Sequence, residues 1–275
     1  MIKTNCELPK DLIDKNLELN SMDLVLFHLY DSYEWYREYY KNLRKTHPER
    51  VMILDNSEYE YFINGIELDL DRYCEVINEL NPDYYILPDV LMDREGTMKK
   101  IDEFNRVHKD SIKVQSIPMG VIQGNSSIDF SLCAQEMYEM GIKNIAIPFH
   151  NSFFKEMDVI DSIKNYFKGN YQDRCEDDIK YSMGRVAWIM GCARMLKQFD
   201  YIHVLGSHCP IEKFFYNYIV NSMDTGYPVK CGIAGYELLK EPHKPNIIID
   251  DFLEDELDGS KKSLIVNNIE VFKNI

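Results

Sequence analysis

Short apolar segments recur along the chain, separated by longer segments in which apolar and polar positions mix. Within each short segment the apolar residues are nearly continuous, which is typical of strands buried on both faces of a parallel sheet. Eight segments of this kind predict strands at Leu24–Tyr30, Val51–Leu54, Tyr84–Leu87, Ile117–Ile122, Asn144–Ile147, Tyr201–Leu205, about Val229–Ala234, and Ile247–Ile249.

The longer segments between the strands predict helices. Ile128–Met140 has helical apolar spacing and precedes Gly141, a residue favoured just after a helix. Met183–Gln198 and Ile211–Val220 are two further predicted helices. Strands that alternate with helices favour a parallel sheet.

Eight strands with intervening helices predict an α/β fold, a TIM (β/α)8 barrel, as one domain over residues 1–275. A doubly wound open sheet is the alternative. That fold usually has a Gly-rich phosphate loop after its first strand, and Tyr30-Asp31-Ser32-Tyr33 is not such a loop. The barrel is therefore the preferred prediction.

The composition fits a folded protein and argues against several classes. Hydrophobic residues make up 45% of the 275, enough for a core, and the charged fraction of 28% does not indicate disorder. No long apolar run or signal-peptide pattern is present, so we expect a cytoplasmic protein without a membrane span. The seven cysteines form no Cys-x-x-Cys pair, which favours reduced thiols and no metal site.

The formal net charge of −15 disfavours general adhesion to nucleic acid, because the phosphate backbone dominates that affinity. Two local basic clusters oppose this trend. They are Arg37, Lys41, Arg44, Lys45 and Arg50, and then Lys99, Lys100, Arg106, Lys109 and Lys113. We interpret both first as solvated helix faces, with contact to phosphate as the alternative.

Polar side chains follow the predicted strands. Asp55 follows the second strand, Asp89 the third and Gln123 the fourth, and Asp224 lies where a further strand should begin. A β/α barrel assembles its active site at the carboxyl ends of its strands, so we expect these side chains to converge. Each carboxylate taken alone could instead cap the helix that follows it.

Four motifs occur in order between Val51 and Pro228. They are Leu54-Asp55-Asn56-Ser57-Glu58-Tyr59, Pro88-Asp89, Gly120-Val121-Ile122-Gln123-Gly124, and Leu205-Gly206 to Pro210 followed by Met223-Asp224-Thr225. As an ordered set they resemble the tRNA-guanine transglycosylase superfamily. Members of that superfamily are TIM-barrel enzymes that exchange guanine for a 7-deazaguanine in a polynucleotide.

The resemblance implies a role for each matched residue. Asp224 would be the nucleophile that forms a covalent glycosyl intermediate, and Asp55 the general acid/base, as in retaining glycosyl transfer. Asp89 and Gln123 would recognise the base edge through hydrogen bonds. Further base-binding positions would be Gly124, Ile147, Pro148 and Gly206. The chemistry needs no cofactor.

Two departures from the superfamily pattern direct the prediction towards DNA. Pro148-Phe149 stands where the superfamily has Gly-Gly, so the base pocket is expected to differ. The cysteine motif of the C-terminal zinc-binding subdomain of the tRNA enzymes is not found, since only Cys231 follows Asp224, and we expect that subdomain to be lacking. The phage-type DNA branch resembles this chain better. The predicted partners are therefore guanine-containing DNA and a free preQ0-like 7-deazaguanine base. A helper protein is an optional further partner. If a phage encodes the chain, the expected location is the host cytoplasm.

Four alternatives remain open. They are the same exchange on tRNA, hydrolysis of a deazaguanine nucleoside, a non-catalytic partner subunit, and a barrel enzyme of other chemistry. His203, His208 and Cys209 do not make a metal site, because two ligands on one loop are too few. We expect His203 to face a helix layer. Arg185 and Arg194 lie on a predicted helix, and we expect each to pair at a surface or an interface, with contact to phosphate as the alternative.

Overall fold

The computed structural model describes residues 2–149, 151–170, 176–216, 218–240, 245, 247 and 253–275. In this part of the chain, eight strands occur: β1 Lys3–Cys6, β2 Asp23–Leu26, β3 Met52–Asp55, β4 Tyr84–Ile86, β5 Ile117–Val121, β6 Asn144–Ile147, β7 Tyr201–Val204 and β8 Ser222–Thr225. They belong to one parallel sheet with the order β1-β8-β7-β6-β5-β4-β3-β2.

Helices connect the strands. Within the described ranges they are α1 Asn16–Leu19, α2 Phe27–Ser32, α3 Glu34–Thr46, α4 Glu58–Asn64, α5 Leu70–Leu80, α6 Arg94–Val107, α7 Ser127–Glu139, α8 Asp161–Asn170, α9 Glu176–Gly191, α10 Ala193–Leu196, α11 Tyr227–Ile233 and α12 Gly259–Asn274. Short 3-10 helices occur at Lys10–Lys15, Lys109–Ser111, Ser152–Glu156 and Pro210–Phe215.

Parallel strands that alternate with helices make this an α/β fold of the TIM-like barrel class, as the sequence predicts. The chain divides into two compact units. The first consists of Met1–Ser21, Ser152–Gln198 and His203–Ile275, and the second of Met22–Asn151 and Phe199–Ile202. The single domain over residues 1–275 stays a prediction. In the described part of the chain, no helix has the length and apolar character that crossing a membrane requires.

The second unit contains β2 to β6. The centres of its strands are apolar, and Ile53, Leu54, Ile86 and Ile145 are completely buried. Side-chain caps fix the helix starts, since Asp69, Asp93 and Ser126 accept hydrogen bonds at the N-termini of α5, α6 and α7. The predicted helix Ile128–Met140 is confirmed as α7, and Gly141 follows it with a φ of 85°.

The first unit contains β1, β8 and the helices α9, α11 and α12. The predicted helix Met183–Gln198 occurs as the end of α9 and the short α10, with Cys192 between them. The predicted α-helix Ile211–Val220 is wrong, because a 3-10 helix forms at Pro210–Phe215 and the described residues after it, 216 and 218–220, are not helical. Gly232 in α11 lies so close to Ile265 of α12 that a Cβ atom there would approach the Ile265 side chain to 2.4 Å.

Two strand predictions need correction. The segment Val229–Ala234 is not a strand, because Tyr227–Ile233 form α11 with Pro228 in its first turn, where proline is well tolerated. The strand in this region is β8, which ends before that helix. The predicted strand Leu24–Tyr30 is a strand only as far as Leu26, and α2 begins at the next residue, Phe27.

The two ends of the chain differ from the sequence prediction as well. The strand β1 has the sequence Lys-Thr-Asn-Cys, and a pattern so polar does not predict a buried strand. It pairs with β8 in parallel, with Asn5 opposite Asp224. Of the predicted strand Ile247–Ile249, Ile247 has no regular structure, and residues 248 and 249 lie outside the described residues.

Candidate functional site

A buried carboxylate, Asp89, follows β4 in the second unit and is 2% exposed. Its Oδ1 accepts a hydrogen bond from Nδ2 of Asn56 at 3.0 Å, and its Oδ2 accepts one from Nε2 of Gln123 at 2.8 Å. Asn56 follows β3 and Gln123 follows β5, the strands on either side of β4. The structure therefore brings together Asp89 and Gln123, two residues predicted to bind the base, and adds Asn56 to them.

The two amides that contact Asp89 are themselves fixed. Oε1 of Gln123 accepts from the backbone N–H of Met92 at 2.8 Å, and Oδ1 of Asn56 accepts from that of Glu58 at 2.9 Å. Each amide therefore turns its NH2 group towards the carboxylate. This arrangement holds a row of polar groups at the carboxyl ends of three adjacent strands.

Burial raises the pKa of Asp89 to about 6, because a charged carboxylate loses hydration in the interior. Hydrogen bonds from Asn56 and Gln123 oppose that rise, and the negative charge of Glu58 adds to it. Lys100 lowers the pKa, and its Nζ donates to the Asp89 carbonyl oxygen at 2.9 Å and to Glu58 Oε1 at 2.8 Å. At neutral pH the carboxylate is mostly ionised and can accept further N–H groups, such as those of a guanine edge.

Asp55 is the last residue of β3 and is partly exposed. Its Oδ1 accepts from the backbone N–H of Ser57 at 2.6 Å, a local turn that fits the capping alternative as well as a catalytic role. Ser57 has a φ of 59°, in the left-handed region, so the chain turns sharply from β3 into α4. The Ser57 hydroxyl lies 2.9 Å from Nδ1 of His28, which holds this turn.

The remaining predicted base-binding residues of this unit lie at β5 and β6. The Gly124 carbonyl accepts from Nδ2 of the buried Asn151 at 2.7 Å. A Cβ atom on Gly124 would approach the backbone nitrogen of Phe130 to 2.7 Å, so only glycine fits against the start of α7. Ile147 is buried at the end of β6, and Pro148 follows it half-buried.

Asp224 lies in β8, in the first unit, and its side chain is 15% exposed. Oδ1 accepts from the backbone N–H of Gly206 at 2.9 Å and lies 3.1 Å from Nε2 of His203. Among the described residues, Oδ2 has no hydrogen-bond or ion-pair partner. One carboxylate oxygen is therefore held by two donors while the other is left for a ligand.

The imidazole of His203 lies between two residues of β8. His203 is opposite Ser222 in the β7–β8 register, and its Nδ1 is 2.8 Å from the Ser222 hydroxyl. Both residues are completely buried. The ring shares a face of the sheet with Ser222 and Asp224, and the expectation that this face packs against a helix layer stays a prediction.

The loop that carries Gly206 is clamped by Arg185 of α9. The guanidinium donates to the carbonyl oxygens of Leu205 and Gly206, both at 2.7 Å. Its charge is balanced by Glu212, which accepts from Nε at 2.9 Å. Arg185 is completely buried, so of the expected pairing at a surface or an interface the surface option is wrong. The carboxylate of Glu212 makes burial of the guanidinium possible.

The surroundings of Cys6, Cys209 and His208 bear on the possibility of cysteine or metal chemistry. Burial raises the pKa of the Cys6 thiol, and the nearby charge of Asp224 raises it further, so this thiol is kept neutral. Cys209 is buried, and His208 lies 3.2 Å from Asp178 Oδ1. In the described ranges, no three His, Cys, Asp or Glu side chains group as a metal site would require.

The two basic clusters are partly neutralised by acidic side chains. Arg44 pairs with Asp83 at 3.0 Å, and Arg50 pairs with the buried Asp23 at 2.8 Å. In the second cluster, Lys100 is the cation bound to Glu58. These ion pairs reduce the positive charge that either cluster can offer to a phosphate backbone.

Sequence reasoning missed the supporting residues of both groups. The Asn56 amide could have been found, because it follows Asp55 directly at a predicted strand end. The contact between His203 and Ser222 could be predicted only from the register of β8, and the sequence pattern places that strand elsewhere.

No model of a known protein family matches the chain, and no curated protein matches it either.

Proposed function

We propose that the protein is a guanine transglycosylase that exchanges guanine for a preQ0-like 7-deazaguanine in DNA. Asp224 is the nucleophile, Asp55 the general acid/base, and Asp89 and Gln123 the base-recognition pair. The assignment of roles follows the motif resemblance.

The proposed reaction has two displacements at C1′ of the sugar. In the first, Oδ2 of Asp224 attacks C1′, the bond to guanine breaks, and Asp55 donates the proton that the leaving base takes up. In the second, the incoming deazaguanine attacks C1′, the C1′–Oδ2 bond breaks, and Asp55 takes the proton from the incoming base. Two inversions leave the sugar configuration retained.

The observation that carries the proposal is the setting of Asp224. A carboxylate nucleophile must be oriented by donors on one oxygen and keep the other available, and Oδ1 and Oδ2 of Asp224 differ in this way. Its side chain is 15% exposed, so the carboxylate is accessible to solvent. A helix-capping aspartate would instead accept the N–H groups of the following helix, whereas Asp224 accepts from Gly206 and His203.

The Asp89 group supports the base-recognition half of the proposal. The carboxylate has lone pairs left after it accepts from Asn56 and Gln123, and it can accept the adjacent N–H groups of guanine or a deazaguanine. A base that lacks those groups would leave the remaining lone pairs of the buried carboxylate without a donor. Each such mismatch is worth on the order of 1–3 kcal/mol.

DNA is proposed as the acceptor because the motifs resemble the phage-type DNA branch more than the tRNA enzymes. The net charge of −15 and the ion-paired basic clusters favour assistance by a basic helper protein. The assistance by a helper protein is tested by a gel-shift titration of the pure chain with duplex and single-stranded DNA. Tight binding by the chain alone would contradict this assistance.

The central test measures incorporation of labelled guanine into duplex DNA, single-stranded DNA and tRNA. Wild type, Asp224→Asn and Asp102→Asn are compared, the last an exposed carboxylate on α6 that serves as the matched control. We expect incorporation into DNA by wild type and Asp102→Asn, and none by Asp224→Asn. Incorporation only into tRNA would overturn the DNA assignment, and full activity of Asp224→Asn would overturn the nucleophile.

A further inference from the structure

Two N–H donors converge on a single oxygen of Asp224. The backbone N–H of Gly206 and Nε2 of His203 both lie within hydrogen-bonding distance of Oδ1, at 2.9 and 3.1 Å. Neither contacts Oδ2. This asymmetry matters for a carboxylate that must first form an ester and then be expelled from it.

The hydrogen-bonding role of each His203 nitrogen follows from its neighbour. A carboxylate oxygen accepts, so Nε2 is the donor in the contact with Asp224. On the other side, the Ser222 hydroxyl lies 2.8 Å from Nδ1, and because a hydroxyl can donate or accept, it satisfies that nitrogen in either role. Ser222 therefore fixes the ring in the orientation that points Nε2 at Asp224.

The Gly206 donor is fixed by contacts of its own. The Arg185 guanidinium bonds the carbonyl oxygens of Leu205 and Gly206, while the Thr225 hydroxyl donates to the carbonyl of Ser207 at 2.5 Å. Gly206 has a φ of 56°, in the region that favours glycine. The loop therefore presents its N–H to Oδ1 in one orientation.

We propose that these two donors make Asp224 a good leaving group in the second half of the exchange, with His203 as a positioning residue that acts through Asp224. The inference rests on the proposed function. In the ester, Oδ2 is bonded to C1′ and Oδ1 is a carbonyl oxygen, which is a weaker acceptor than a carboxylate. When the incoming base attacks C1′, the electron pair of the C1′–Oδ2 bond returns to the carboxylate, and the donors on Oδ1 stabilise the charge as it forms.

Loss of the His203 donor therefore has a specific consequence. It raises the energy of the free carboxylate more than that of the ester, so the covalent intermediate accumulates while overall exchange slows. A substitution that only disorders the site would lower both the exchange rate and the amount of intermediate. The two effects are separated by measuring the trapped fraction together with the rate.

The chain offers a matched pair of substitutions at this position. In His203→Asn, the short amide can reach Ser222 in place of Nδ1 but falls short of Asp224. In His203→Gln, the longer amide can place an N–H group where Nε2 lies. Both variants keep a polar side chain in the same buried position. A double variant, His203→Leu with Ser222→Ala, removes the donor without leaving a buried hydroxyl unpaired.

The experiment incubates each variant with a guanine-containing DNA oligonucleotide and free guanine, quenches in denaturant, and measures covalent adduct and exchange. We expect His203→Asn and the double variant to exchange roughly 10- to 100-fold more slowly, the range for a hydrogen bond to a charged group. Their steady-state adduct fraction should exceed that of wild type. His203→Gln should lie between wild type and His203→Asn in both quantities.

Different results overturn different claims. If wild type gives adduct and exchange but the His203 variants show an unchanged or smaller adduct fraction, the leaving-group inference is wrong and the proposed function stands. If wild type gives neither adduct nor exchange on DNA or tRNA, the proposed function fails and the inference fails with it. Thermal melts of all variants identify any that do not fold. If His203→Asn does not fold, the adduct fraction of the apolar double variant tests the leaving-group inference in its place.

Discussion

The amide nitrogen of Gln123 donates to Oδ2 of Asp89 across 2.8 Å, in surroundings that leave Asp89 2% exposed. A buried acid that accepts from two amides is stabilised in its ionised form by those bonds and destabilised by the loss of water. For Asp89 the loss of water dominates, and the pKa rises from 3.8 to about 6. The base-recognition pair is therefore also a source of pH-dependent stability.

The first prediction concerns that pH dependence. The folded state keeps the Asp89 proton to a higher pH than the unfolded chain does. The proton on Asp89 therefore adds to the free energy of unfolding at pH values below the unfolded pKa of 3.8, and this contribution is lost as pH rises through about 6. Since a shift of one pKa unit corresponds to about 1.36 kcal/mol, the whole contribution is about 3 kcal/mol. The free energy of unfolding of wild type, minus that of Asp89→Asn, should fall by most of this amount between pH 4 and 7 in denaturant titrations. A difference that stays constant over this range would contradict the shift.

The parts of the fold that sequence predicts best are the strands buried on both faces. The predicted strand Asn144–Ile147 has the same bounds as β6, because a short apolar run between turns is typical of a strand buried on both faces. The strand β8 escapes prediction because its sequence, Ser-Met-Asp-Thr, contains buried polar side chains. Ser222 is buried because His203 bonds it, and Thr225 because it bonds the Ser207 carbonyl.

The polar residues at strand ends are predictable as a set, but their partners are not. Asp89 and Gln123 both follow apolar strands, so their approach to one another follows from adjacent parallel strands. The contact between His203 and Asp224 depends on a register, and single-sequence patterns do not give registers. The burial of Arg185 is missed for a related reason, since its partner Glu212 lies in a 3-10 helix where the sequence predicts a longer α-helix.

The second prediction concerns the proposed acid/base. Asp55→Asn keeps an oxygen that can accept from the Ser57 N–H, so the turn after β3 should survive and the melting temperature should change little. Exchange should fall about 10²- to 10⁴-fold, the usual contribution of general acid/base catalysis. Labelled-guanine incorporation, with Asp102→Asn as the exposed control, measures this. A variant that keeps wild-type exchange would leave Asp55 as a turn residue only.

The third prediction concerns the close packing at Gly124. In Gly124→Ala, the new methyl group would meet the Phe130 backbone nitrogen at 2.7 Å, and a backbone atom in a helix cannot yield as a side chain can. We expect a loss of about 1–3 kcal/mol in the free energy of unfolding, as for other overpacked sites. Gly191→Ala is the control, because no atom lies within 4 Å of the place that its methyl group would take, and it should be neutral or slightly stabilising. Equal effects at both glycines would show that the space at Gly124 is not limiting.

The fourth prediction concerns the buried ion pair below the Gly206 loop. Glu212 accepts from Ser182 and Ser207 at 2.6 and 3.0 Å and neutralises Arg185, and both charged side chains are completely buried. Glu212→Gln leaves the guanidinium charge uncompensated in the interior, and removal of one partner of a buried pair costs about 3–5 kcal/mol. Denaturant titration should show this loss.

The control for this prediction is an ion pair that is partly exposed to solvent. Glu270→Gln removes a comparable contact, at 2.8 Å to Lys273, but on a solvated face of α12, and it should cost less than about 1 kcal/mol. If Glu212→Gln were as mild as Glu270→Gln, the clamp on Leu205 and Gly206 would not depend on the buried charge pair, and Arg185 would have to be held by its carbonyl contacts alone.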